Sequence, residues 1–462
     1  MPGKTFLHGV LRKITPTKSE KKAQMLLAAK IIDSIKKTSG KHIDVMLCGS
    51  NARDTHLKGD HDLDIFVLFP EKLSRKEFEK EGLKIGKKVF RGHKWEKAFS
   101  EHPYVRGEIG GFAVEIVPSY KVSSAELKQS SVDRSPFHCT YLKEKLSEKQ
   151  KGEARLLRQF LKGIKAYGAD IKASSVPGYV VELLIVHYGD FLGAINAIAE
   201  WKQGTVIDIE RHLSEEEAKK NFPDSALVVI DPVDRNRNVA AALSLNQFSR
   251  IVAAARAFLR RPGKAFFFGK KERIWNVKKL RAMLQKKELV AIRLGYPKKA
   301  LPDIVWGQIQ RFARKTEKQL QLNDFKVLRG EAWTDEKSEM VIVFEVESRQ
   351  LQKSQAKQGP FVTDEKNSKA FLQAHKRVIA GPRIEGGRWV IEVPRKYTRI
   401  EDFARDFLRK EKKVEKQLLR KAINKGTAIL EEKNLIELYK KNRQFAQFLA
   451  TYLRGEEEFL GY

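Results

Sequence analysis

The sequence predicts a multidomain α+β fold, and three observations lead there. At 462 residues the chain is too long for one compact core, and its 42% apolar content is enough to fill several. Short strand-like runs, Ile43–Leu47 (apolar, of the kind that forms a buried strand), His61–Phe69 and Tyr104–Pro118, stand among helix-periodic stretches in the first third. Beyond about residue 265 the texture shifts to basic segments with aromatic interruptions, in which helical and alternating patterns follow one another.

Charge narrows the partner. Lys and Arg number 90 against 58 acids, a formal net charge of +32, and a surface that basic calls for an anionic partner. Nucleic acid is the first candidate, because neutralising phosphates releases counterions. A membrane surface is the competitor, but no apolar run approaches the ~20 residues of a spanning helix. The longest, Tyr179–Val186, is interrupted by Glu182. The first residues are basic without an apolar signal region, and Cys48 and Cys139 alone make neither a disulfide framework nor a zinc site, which fits a reducing cytoplasm.

Taken in order, residues 17–38 begin with Thr17 and Ser19 as cap residues and place Ala23, Leu26, Leu27, Ile31, Ile32 and Ile35 at near-helical spacing, an amphipathic helix against a sheet. Cys48–Pro70 follows as strand end, Gly49-Ser50 turn, short helix and second strand. Backbone N–H groups at such a helix start suit phosphates. Asp62 and Asp64 are two apart in the alternating run, so both carboxylates leave one face of the strand. An isolated pair of this kind simply lies on a solvated face. Here the Gly-Ser turn and Arg53 stand beside it, and two like charges so placed suit a divalent cation, magnesium above all. Residues 70–102 read as charged and helical. In G-G-F-A-V-E-I-V-P, Glu115 interrupts an apolar strand, either facing water on an edge or joining the two aspartates as a third carboxylate.

V-D-R-S-P-F-H, residues 132–138, reads as a Pro-containing turn with a single His138, by itself an ordinary loop residue. Residues 153–167 have the strongest helical period, with Arg155, Arg158, Lys162 and Lys165 on one face, solvated or aligned to meet phosphates. Tyr167 at the helix end could equally be core. Residues 179–201 look like one buried helix crossing into another. In D-P-V-D-R-N-R-N-V-A-A-A-L-S, Asp231 to Asp234 read as a turn and Asn238 as the start of a helix. Further on, Asp303–Gln321 is an amphipathic helix, Phe325–Trp333 and Met340–Ser348 a strand pair turning at Thr334–Glu339, and Gly386–Val393 another strand. Lys- and Arg-rich helix follows from Ile400.

G-S-N-A-R-D-T followed by D-H-D-L-D-I-F resembles the active-site signature of the archaeal, class I CCA-adding enzymes, members of the polymerase β-like nucleotidyltransferase superfamily. The likeness is specific at residues 48–70, 132–138 and 231–244 and vague after 300. It implies a nucleotidyltransferase head (1–145), a helical neck (146–264), a body (265–300 and 375–462) and a tail (301–374), the last two tracking the acceptor and T arms of tRNA. It implies Mg²⁺ on Asp62, Asp64 and Glu115 as catalytic acids. Gly49, Ser50, Arg53, His138, Arg158 and Tyr167 would bind the nucleotide, and Arg235 or Arg237 would meet the base or primer end. Substrates would be tRNA, CTP and ATP, and the assembly a cytoplasmic homodimer. This chain has Glu115 where the family usually has Asp, Arg158 where it has Lys, and Ser135 where it has Thr. Two alternatives stand beside that reading: a poly(A) or oligoadenylate polymerase sharing the same apparatus, and a non-catalytic RNA-binding protein on this scaffold. A transferase acting on a small hydroxyl compound would have little use for a charge of +32.

Overall fold

The computed structural model describes residues 3–39, 43–99, 101–168, 174–269, 274–297, 300–414 and 417–460. They divide into two compact units, Met1–Lys270 with Glu457–Tyr462, and Lys271–Glu456.

The first unit starts with α1 (Lys4–Ile14) and α2 (Lys18–Ser39) and builds a sheet from β1 (Asp44–Cys48), β2 (Asp62–Pro70), β3 (Trp95–Phe99), β4 (Pro103–Ile109) and β5 (Phe112–Lys121). Its order is β1-β2-β5-β4-β3, with β2 and β5 parallel and every other pair antiparallel. Alternation decides which face is covered. Leu63, Ile65, Val67 and Phe69 of β2 pack with Ile31 and Ile35 of α2 and Phe78 of α4 (Arg75–Val89). The intervening Asp62 and Asp64 are left on the opposite face. The short helix α3 (Gly49–Ala52) joins β1 to that face.

Four expectations are corrected here. Strand β1 is an edge strand, exposed at Asp44, rather than a buried one. Strand β3 lies in the stretch expected to be helical, because its W-E-K-A-F carries little strand signal of its own and is stabilised by pairing with β4. His138 sits on a helix, α5 (Arg134–Lys145), since Pro136 falls in the first turn, where a missing N–H costs no hydrogen bond. Asn238 closes a strand instead of opening a helix. Strands β7 (Leu227–Asp231) and β8 (Asp234–Asn238) form a hairpin about Pro232-Val233, as the expected turn requires.

Between these lie α6 (Glu148–Gly163), capped reciprocally by Ser147 and Gln150, then α7 (Gly178–Tyr188), α8 (Phe191–Glu200), β6 (Thr205–Ile207) and α9 (Glu215–Asn221). Helices α10 (Leu245–Arg260) and α11 (Ala265–Phe268) follow the hairpin. Phe160, Phe191, Phe258 and Phe267 meet at the centre of this helical core, mostly edge to face. Among the described residues no single helix is long and apolar enough to cross a membrane, and α7 and α8 are bent by 97° to each other.

The second unit holds α12 (Val277–Leu284), β9 (Glu288–Gly295), α13 (Pro302–Gln321), β10 (Val327–Thr334), β11 (Glu339–Val346), β12 (Ser354–Phe361), α14 (Glu365–Ala374), β13 (Ala380–Glu385) and β14 (Arg388–Pro394). It ends with α15 (Ile400–Val414), α16 (Gln417–Lys425), β15 (Thr427–Leu430), α17 (Glu432–Lys441) and α18 (Arg443–Arg454). The expected strand pair is present as β10 and β11 in a sheet ordered β10-β11-β9-β15, and β15 adds a strand inside the stretch expected to be helix. Met340, Ile342 and Phe344 face one core with α13 and α15, Val341 and Val343 the other with α17 and α18, so β11 is apolar on both faces. A second sheet, β12-β14-β13, spans residues 354–394.

Candidate active site

The parallel register of β2 and β5 sets Asp64 opposite Glu115 and Asp62 opposite Ala113. Glu115 is thus on the acid face and not in water on an edge, since β4 flanks it with Arg106 directly across. Tyr104 Oη donates to Glu115 Oε1 at 3.4 Å. Burial, and then the charge of Asp64, push the Glu115 carboxyl up to about 7. Burial and Asp62 raise Asp64, against the pull of Arg53, while burial and Asp60 raise Asp62. Three mutually repelling hard-oxygen donors are a set that a divalent cation relieves. Among the described residues no three acid, His or Cys side chains close into a cage by themselves.

Gly49 is fixed by this shelf. Its φ is +71°, and a Cβ there would lie 2.0 Å from Asp64 Oδ2. Ser50, next in α3, accepts Thr55 N–H on its carbonyl at 3.0 Å, closing the turn that carries Arg53.

Arg53 does not stand free beside the acids. It is buried, and its Nε and Nη2 donate to Glu182 Oε2 of α7 at 3.0 and 2.6 Å. Thr55 Oγ1 donates to the other oxygen, Oε1, and Arg158 Nη2 of α6 lies 3.4 Å from that same atom. Glu182 and Thr55 are wholly buried and Arg158 is 3% exposed, so one carboxylate serves two guanidiniums away from water. The Arg158 guanidinium stands over the Tyr167 ring at 5.7 Å and Lys162 Nζ at 5.5 Å. Gly178 makes room for this stack, because a Cβ there would lie 2.9 Å from Tyr167 Oη.

The other cations of the α6 row have partners as well. Arg155 is buried on Asp54 and on the His56 carbonyl, Lys162 reaches Asp60 at 3.0 Å, and Lys165 reaches Glu458 at 3.2 Å. Each of these cations has a carboxylate partner from outside α6.

A second cluster gathers on the β7–β8 hairpin. His138 Nε2 lies 2.8 Å from Asp231 Oδ2, Arg237 Nη1 donates to the same oxygen at 3.0 Å, and Tyr179 Oη donates to Oδ1 at 3.3 Å. The His138 ring stacks on Tyr179 with centroids 4.0 Å apart. Burial holds the His138 pKa below its ordinary value despite Asp231. Of the two arginines named from sequence, Arg237 joins this cluster and Arg235 is exposed. Asp234 in turn holds Lys128 at 2.7 Å and Arg134 at 3.2 Å, tying the hairpin to the start of α5.

Glu182, Thr55, Asp231 and Tyr179 were not foreseen as site residues. Glu182 had a visible signal, an acid within the apolar Tyr179–Val186 run. Asp231 opens the stretch 231–244 in which the family likeness is specific, whereas Tyr179 had no signal, because its partners come from distant segments.

Residues 28–138 match the nucleotidyltransferase domain family, 152–268 the second domain of tRNA nucleotidyltransferases, and 286–432 the C-terminal domain of CCA-adding enzymes. The CCA-adding enzyme of Methanosarcina mazei is 32% identical over 460 residues, covering 96% of this chain and 97% of that protein. This chain belongs to the CCA-adding enzyme family. The family member of Methanocaldococcus jannaschii is 33% identical over 87% of this chain and 90% of its own, and that of Methanococcus maripaludis strain C7 38% identical over 72% and 76%. As a CCA-adding enzyme the chain is a tRNA nucleotidyltransferase, and its acid shelf lies in the matched nucleotidyltransferase domain. A solved Cid1 poly(U) polymerase covers 58% of this chain at 15% identity and a TM-score of 0.47, too loose a likeness to bear on specificity.

Proposed function

We propose that this chain builds and repairs the 3′ end of tRNA, transferring CMP, CMP and AMP in turn from CTP and ATP without a nucleic-acid template and releasing pyrophosphate. The observation that carries the reading is the meeting of three acids from two parallel strands, in a chain alike to CCA-adding enzymes from end to end.

Asp62, Asp64 and Glu115 would hold Mg²⁺. When bound, the ion supplies charge neutralisation at the α-phosphate and acidifies the primer 3′-hydroxyl. The remaining chemistry is positioning and electrostatics. The turn at Gly49 and Ser50 brings backbone N–H groups toward the triphosphate, and Arg53, Arg158 and His138 fix it in line. Tyr167 packs under the nucleotide side of Arg158. Arg237 reads the base or primer end, a role for which its place beside His138 is the support, and Arg235 is the weaker choice.

The head (1–145) carries catalysis, the neck (146–264) the nucleotide and primer end, and residues 265–462 the body and tail that follow the acceptor and T arms of tRNA. The net charge of +32 supports that partner. The enzyme works as a cytoplasmic homodimer.

The test is incorporation of labelled CTP and ATP into tRNA lacking its terminal CCA, by the full chain and by Asp62→Ala/Asp64→Ala. Stepwise C, C, A addition that then stops, and that the double variant loses, is the expected result. Tailing with ATP alone would make the chain a poly(A) polymerase, and tight tRNA binding with no incorporation a binding protein.

A further inference from the structure

We infer that Glu182 is a positioning residue for nucleotidyl transfer, a buried carboxylate that aims Arg53 and Arg158 at the triphosphate. The inference rests on the function proposed above and concerns a residue to which no role attaches by family likeness.

The geometry is specific. Arg53 is on the turn after α3, ahead of the acid strand β2, Arg158 is on α6 and Glu182 on α7, so three separate elements meet at one carboxylate. Oε2 takes both Nε and Nη2 of Arg53, at 3.0 and 2.6 Å, which fixes the plane of that guanidinium. Oε1 is shared between Thr55 Oγ1 and Arg158 Nη2. At this carboxylate, among the described residues, one negative charge is shared by two guanidiniums, and the next acid that Arg53 acts on is Asp64 of the shelf.

A second observation points the same way. Arg158 is 3% exposed, and its Nε has no hydrogen-bond partner among the described residues. A buried cationic donor left open is a group awaiting an acceptor. The open donor and the shared carboxylate sit together, and the anion that both guanidiniums would take is the substrate's triphosphate. A purely structural counter-ion would need only one arginine, whereas Glu182 holds two from different elements.

Removing the carboxylate charge therefore keeps, or raises, the attraction for triphosphate while releasing the aim of both guanidiniums. The consequence is a loss of turnover rather than of affinity, because small misplacements of reacting groups cost large factors in rate.

The experiment compares wild type, Glu182→Gln and Thr55→Val, all full length, in CMP addition to tRNA lacking CCA. It reads kcat, KM for CTP, KM for tRNA and Tm. For Glu182→Gln the expected result is a fall in kcat of about tenfold to a hundredfold, with KM for CTP unchanged or lower and KM for tRNA unchanged. Thr55→Val, which frees Oε1 but keeps both charges, is expected to lower kcat severalfold in the same pattern. A kcat close to wild type in both, or a rise in KM for tRNA matching the loss in kcat, overturns the inference. If Glu182→Gln does not fold, Thr55→Val alone decides. Wild type that adds no nucleotide removes the function reading and this inference together, whereas active wild type with indifferent variants removes the inference alone.

Discussion

Asp64 and Glu115 face one another across the parallel pair β2 and β5, and burial, then the charge of Asp64, raises the Glu115 pKa. The consequence for stability has a definite sign. Glu115 is pushed up to about 7 from an ordinary 4.5. Below the ordinary value both folded and unfolded chains carry the proton, and the site costs nothing. As pH rises through the window up to about 7 the unfolded chain gives up its proton first, so the fold is progressively destabilised. A divalent cation on the shelf would cancel that cost.

Glu115→Gln is thus expected to melt higher than wild type at pH 8 in a chelator, by on the order of 1–3 kcal/mol at ~1.4 kcal/mol per pKa unit. The difference should close toward pH 5, and magnesium should stabilise wild type more than the variant. CMP addition should fall steeply in the same variant. Calorimetry across pH with and without magnesium checks both. A variant no more stable than wild type at pH 8 would mean that Glu115 is not strained by its neighbours.

Gly49→Ala is a second test, of the turn itself. Alanine at φ +71° costs about 1–2 kcal/mol of backbone strain, and its Cβ would fall 2.0 Å from Asp64 Oδ2, so that carboxylate must move. The expected outcome is a loss of kcat of roughly a hundredfold with tRNA affinity unchanged in a filter-binding assay. Wild-type turnover would show that Asp64 can shift without harm.

How much of this could be read in advance depends on how local each signal is. The D-x-D alternation and the Gly-Ser turn are neighbours in sequence, so the acid face of β2 was legible. That Glu115 lies opposite Asp64 depends on the sheet order placing β5 beside β2, which no spacing encodes. The error at Asn238 has a physical reason: D-R-N-R-N has neither apolar alternation nor β-branched residues. It is held as a strand by β7 and by Asn238 Oδ1, which accepts Val229 N–H at 2.9 Å. The basic row on α6 was only half legible. Its period was correct, but the acids that neutralise it, Asp54, Asp60, Glu182 and Glu458, come from other parts of the chain.

The hairpin cluster gives a third prediction. Asp231 is wholly buried. Burial alone would raise its carboxyl, but the His138 hydrogen bond and Arg237 hold it below the ordinary value. Its contribution is therefore present at neutral pH and lost only in acid, as pH drops below the ordinary carboxylate range. Asp231→Asn leaves His138 and Arg237 without their shared anion. It should cost roughly 2–4 kcal/mol and lower kcat/KM for CTP and ATP about tenfold or more. Single-nucleotide incorporation and chemical denaturation at pH 7.5 check this. Equal activity would leave the cluster a structural tie only.

The last prediction concerns His56, which is 2% exposed with neither ring nitrogen hydrogen-bonded among the described residues. Burial, and then the nearby Arg155 cation, push its pKa down from 6.5 to about 4. The folded state thus holds the ring neutral where the unfolded chain would protonate it. Above pH 6.5 both states are neutral and the residue has no pH-dependent effect. Between 6.5 and about 4 the unfolded chain takes up the proton first and the fold loses stability. The loss should reach on the order of 2–3 kcal/mol, at ~1.4 kcal/mol per unit. Replacing the ring by a side chain that cannot titrate removes this term, whatever it does to packing. The measurable outcome is therefore a slope and not an absolute stability. Between pH 6.5 and 4.5 the unfolding free energy of His56→Leu should fall less steeply than that of wild type, the two curves running parallel above pH 7. Parallel curves over the whole range would mean that the imidazole finds a proton acceptor in the folded chain, and that its burial is not what holds it neutral.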